Sequence, residues 1–113
     1  MCIRDRPDTS VILGIRDKTI LEVFYACGLR ISELISLKLS DLFLSEEMIR
    51  VFGKGSKERI VPIGSSAINW IQTYLTNSRP LLNKTTKSEN HLFLNNRGTR
   101  LSRMGVWLSL IHI

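Results

Sequence analysis

Apolar residues recur with a helical rhythm from about residue 15 to residue 27, at Ile20, Leu21, Phe24 and Tyr25, and Gly28 stands where a left-handed residue ends helices. A short second helix is predicted from near Ser32, burying Leu34, Ile35 and Leu37, with Ser40 and Asp41 opening a turn or a further helical piece. The pattern then changes. Residues 48–52 and 58–63 are rich in β-branched side chains and flank a glycine-containing loop, which predicts a hairpin whose tip is longer than two residues, with Pro62 at an edge or strand end. Ser65 or Ser66 can cap a helix that carries Ala67, Ile68, Ile71, Tyr74 and Leu75 on one face and stops before Pro80. Residues 91–94 read as a third strand, residues 95–98 as a turn, and Ser102 as the cap of a last helix. The expected fold is α+β, mainly helical, with a small three-stranded antiparallel sheet.

A chain of 113 residues is one domain at most, and such a domain buries about two-thirds of its unfolded surface, so it tolerates little loss of packing. Sixteen Lys and Arg against ten Asp and Glu give a net charge of +6, which favours a polyanionic partner without identifying it. The aromatic content of 7% offers no dense stacking platform of the kind single-strand binders use. Its two cysteines, Cys2 and Cys27, form neither a disulfide framework nor a CxxC metal pattern, and Cys27, in an apolar helical run, reads as a small buried hydrophobe. No apolar run reaches the roughly 18 residues of a membrane span, and no signal-peptide core precedes the first helix. The expected compartment is a reducing cytoplasm. Residues 83–90, rich in Thr, Lys and Ser, read as a polar loop.

The chemistry concentrates in Gly28-Leu29-Arg30-Ile31-Ser32-Glu33-Leu34 and in the basic hairpin Gly53-Lys54-Gly55-Ser56-Lys57-Glu58-Arg59. An arginine just past a helix-ending glycine and a lysine at a hairpin tip can be brought to one point, and that point would suit a phosphate. The guanidinium fork can hold two phosphate oxygens at once, where lysine offers a point charge. The alternatives are local: Arg30 paired with Glu33 three residues on, and Lys54 as a solvated turn lysine. Lys57, Arg59, Arg97, Arg100 and Arg103 fit contacts to the phosphates of a polyanion, or else simple surface charges. Tyr25 and Tyr74, the only tyrosines, lie at apolar helical positions and are expected in the core. Asp41 reads as a cap or turn residue, because no second carboxylate is arranged with it to hold a metal.

The order and separation of five tracts resemble the catalytic domain of tyrosine recombinases of the Xer and phage-integrase type. These are Ile15-Arg16-Asp17-Lys18, the run from Tyr25 to Leu34, Leu39-Ser40-Asp41-Leu42, the run from Val51 to Ile63, and Leu92-Phe93-Leu94. The resemblance implies phosphoryl transfer on double-stranded DNA through a phosphotyrosine intermediate, without metal or cofactor, by four sister subunits on two duplexes. It implies that Arg30 is a catalytic arginine and that Glu33 supports it. It implies that Lys54 is the general acid that protonates the leaving 5′-hydroxyl, with Lys57 as the competitor for that role.

The resemblance covers residues 7–107. The His-x-x-Arg box, the further His or Trp and the nucleophilic tyrosine of the family have no counterpart in it, and neither His91 nor His112 matches a family histidine. Residues 1–6 and 108–113 match nothing in the family pattern and read as non-native ends of a truncated gene. The expectation is therefore a recombinase piece that is inactive alone. The alternative is a DNA-binding module or regulator derived from a recombinase that has lost catalysis.

Overall fold

The computed structural model describes residues 9–53, 57–82, 90–95 and 97–112. Helix α1 spans Thr9–Cys27 and α2 spans Ile31–Ser36. Two single 3-10 turns, Leu39–Asp41 and Leu44–Glu46, bracket strand β1 at Leu42–Phe43, and β2 (Met48–Phe52) and β3 (Glu58–Pro62) follow. Helices α3 (Ser65–Asn77), α4 (Arg79–Leu82) and α5 (Arg103–His112) complete the order. The three strands form one antiparallel sheet in the order β1-β2-β3.

Helix α1 packs along α3, and α5 packs on α1 and α2. On α3 the buried Ala67, Ile68, Ile71 and Tyr74 make one stripe, as their spacing predicts. Gly28 ends α1 at φ +61°, a left-handed conformation open to glycine at little cost. Ser102 caps α5 by accepting the Gly105 N–H at 2.9 Å. Asp41 caps its own turn, accepting the Lys38 N–H at 2.9 Å, and its other oxygen accepts from Arg50 Nε at 3.1 Å.

Four expectations are corrected. Tyr25 is not in the core but 77% exposed: the buried stripe of α1 runs through Ile20, Val23 and Cys27, and a residue two positions from Val23 and from Cys27 points about 200° away at 100° per residue. Helix α1 also begins at Thr9, well before residue 15. The third strand is β1, not residues 91–94. Leu92, Phe93 and Leu94 are all buried, and much of their backbone is paired outside any ladder. The Tyr74 hydroxyl donates to Leu92 O at 2.7 Å and accepts from Leu94 N at 3.2 Å, while Leu92 N donates to Leu37 O at 2.9 Å. Just before them, Arg79 donates to His91 O from Nε at 3.1 Å and Nη2 at 2.7 Å. Finally, neither Ser65 nor Ser66 caps α3; Gly64 occupies the cap position without a side-chain bond, and the Ser66 hydroxyl donates to Glu22 at 3.1 Å.

The end of α5 takes part in the packing. Ser109 is buried, donates to Gly105 O at 2.9 Å and accepts from Arg16 Nη2 at 3.2 Å. Arg16, itself buried, also donates to Leu94 O at 3.2 Å and pairs with Asp17 at 2.8 Å. Residues 1–6 with Cys2, the loop at 83–89, Asn96 and Ile113 lie outside the described residues.

Candidate phosphate-binding groove

Two elements converge on one open groove of about 410 Å³, lined by Gly28, Arg30, Glu33, Gly53, Lys57, Glu58 and Arg59. The turn after α1 delivers Arg30, which stands at the N-cap of α2 with extended backbone (φ −80°, ψ 158°). Its side chain is exposed. An arginine side chain carries only donors and cannot cap the helix amides itself, so the fork is not committed to the helix it precedes. Glu33, at the third position of α2, instead reaches back, and its Oε1 accepts the Arg30 N–H at 2.8 Å.

The second element is the β2–β3 hairpin. Gly53 N donates to Lys57 O at 2.8 Å, which closes the base of the tip and leaves Lys57 exposed beside the groove. Lys54, the predicted general acid, lies outside the described residues. Arg59 crosses to Glu33: its Nη1 lies 2.6 Å from Oε2 and its Nη2 3.2 Å from Oε1. The ion pair of Glu33 is thus with Arg59 and not with the Arg30 side chain, and Glu33 meets Arg30 at its backbone amide. These bonds, the Arg59 one foremost, hold the Glu33 carboxyl below the usual carboxylate range against the opposing effect of burial.

Arg97, Arg100 and Arg103 are exposed and do not line the groove. Arg97 sits in the turn after Leu94, where its N–H donates to Asn95 Oδ1 at 2.9 Å, and Arg103 opens α5. Tyr25 does not line the groove either. Burial pushes the Tyr74 phenol up to about 12 and the Cys27 thiol up to about 11, so both stay protonated at neutral pH. Two other groups with chemical potential, Arg16 and Arg79, are engaged inside the fold. The Arg59–Glu33 bridge is the feature that local spacing missed, since it joins β3 to α2 across 26 residues of sequence.

The model of the phage integrase family matches residues 4–113. The chain belongs to that family. It is 46% identical over 107 residues to the tyrosine recombinase XerD of Staphylococcus saprophyticus, a match covering 95% of the chain and 36% of that relative. Among solved structures, it is similar to the XerA recombinase, with a TM-score of 0.72 and 28% identity over 85% of this chain and 34% of that one. A second structural relative is the XerH site-specific recombinase bound to its palindromic difH substrate after cleavage, with a TM-score of 0.70 and 26% identity over 87% of this chain and 27% of that one. The family member described by these 113 residues therefore spans about a third of the length of its curated relative.

Proposed function

We propose that this chain supplies part of the phosphate-holding side of a site-specific DNA recombination centre, in which a tyrosine attacks a DNA phosphate and a 5′-hydroxyl leaves. The observation that carries the reading is the convergence of Arg30 and the hairpin base at Gly53 and Lys57 on one open groove, in a chain whose family match covers nearly all of it. Negative charge grows on the non-bridging oxygens during phosphoryl transfer, and fixed donors aimed at them lower the barrier. Arg30 is the catalytic cation in this reading, Lys54 the general acid with Lys57 as its competitor, and Glu33 the support. Arg97, Arg100 and Arg103 extend the contact along double-stranded DNA, and sister subunits complete the assembly in the cytoplasm.

The reading is tested by titrating a labelled duplex with the chain at several salt concentrations. Binding should weaken as salt rises, and Arg30→Ala should weaken it further while making the slope of log K against log salt shallower by about 0.9, the contribution of one neutralised phosphate. Binding that ignores salt, or that Arg30→Ala and Lys57→Ala both leave unchanged, would contradict it.

A further inference from the structure

Arg59 belongs by sequence to a run of basic residues that would touch DNA, yet its place on β3 gives it a different task. The register pairs Arg59 with Val51 and Val61 with Ile49, so these side chains share one face of the sheet. Val51 and Ile49 are fully buried, so that face looks into the domain along its middle, while Arg59, near the hairpin end, keeps 47% of its side chain exposed. From it the Arg59 fork grips both oxygens of Glu33, at 2.6 and 3.2 Å. The Glu33 side chain is only 5% exposed. A carboxylate so enclosed is costly unless paired, and the two-pronged geometry is one that lysine cannot reproduce.

The same carboxylate touches the other two parts of the groove. Its Oε1 accepts the Arg30 N–H at 2.8 Å. On the strand side, a Cβ built on Gly53 would stand 3.3 Å from Oε2, so the hairpin backbone passes against Glu33 at a distance that suits a residue without a side chain. Gly53 is also the residue whose N–H closes the tip onto Lys57 O.

We infer that Arg59 is a positioning residue: by holding Glu33 from β3 it locks the base of the hairpin against the N-cap of α2 and so sets the separation between Arg30 and Lys57. The inference rests on the recombination reading for its purpose, but not for its geometry. With its charge compensated by Glu33, Arg59 adds little to counterion release on DNA binding. Its loss should loosen the groove and leave the number of neutralised phosphates unchanged.

The experiment measures amide hydrogen exchange and duplex binding for the chain, Arg59→Met, Arg59→Lys, Glu33→Gln and the double variant Arg59→Met with Glu33→Gln. Arg59→Met should accelerate exchange at the Gly53 and Arg30 amides about tenfold, leaving the Ile71 amide in the core of α3 unchanged. Arg59→Lys should fail to restore protection, although it keeps the charge. The double variant should be no looser than Arg59→Met, because both changes break one contact. Duplex affinity should fall in Arg59→Met with the salt slope preserved. Unchanged exchange at Gly53 and Arg30, full rescue by lysine, or a slope shallower by about 0.9 would each overturn the inference. If the unmodified chain binds no duplex, the recombination reading fails, and the exchange measurements still decide the role of Arg59.

Discussion

Protonating Glu33 would weaken the acceptor that Arg59 and the Arg30 amide share. The charges around it are Arg59 on β3 and Arg30 at the start of α2, with Lys57 and Glu58 lining the same groove. Because its folded pKa is lowered from an ordinary 4.5, the stabilisation is complete above that value and is lost as pH falls below it toward the depressed one. Urea unfolding of the chain and of Glu33→Gln should therefore give a stability difference that is constant near neutrality and shrinks below the ordinary carboxylate range. A difference that stays constant into acid would contradict the pairing. Tyr74 makes a second residue-scale prediction. Its hydroxyl serves Leu92 O and Leu94 N in a buried site, so Tyr74→Phe should cost about 1–3 kcal/mol in urea unfolding. The role of Glu33 as a local partner of Arg30 was legible from its spacing of three residues. Its bond to Arg59 was not, since the packing of the hairpin against α2 brings together residues 26 positions apart.

Helix α3 was the most legible element, because a single apolar stripe decided its face. Ile71, fully buried on that stripe, should lose about 2–5 kcal/mol on replacement by alanine. Tyr25→Ala, on the exposed side of α1, should stay within about 0.5 kcal/mol of the parent. Thermal or urea unfolding of the two variants side by side checks both, and a large loss at Tyr25 would restore it to the core. Helix α1 was harder to read because apolar residues lie around much of its circumference, so several faces fit the pattern. Residues 91–94 were misread for a different reason. A short apolar run satisfies the strand pattern whatever its hydrogen bonds, and here Tyr74 and Arg79 supply partners that a neighbouring strand would otherwise give.

Across the whole molecule, the net charge of +6 overstates what is free for a ligand. Arg16, Arg50, Arg59 and Arg79 are all paired within the fold, Arg59 while still half exposed, whereas Arg30, Lys57, Arg97, Arg100 and Arg103 are among the exposed cations outside those pairs. The α+β class and the convergence of Arg30 with the hairpin were legible, because spacing and resemblance both bear on them. Which arginines are paired within the fold depended on packing that no local pattern records. Tyr74 is buried and Tyr25 stands off the groove. Incubation of the chain with a duplex nicked beside the scissile phosphate should therefore yield no covalent protein-DNA adduct on a denaturing gel, and an adduct mapping to Tyr25 would contradict the site. The most direct measurement is a titration of the ¹⁵N-labelled chain with a short duplex at low salt, followed by amide chemical shifts. The groove reading predicts that the largest changes fall at Gly28, Arg30, Glu33, Gly53, Lys57 and Arg59. Changes confined to the opposite face of the sheet, at Phe43, Phe52 and Ile60, or an unchanged spectrum at saturating duplex, would contradict it.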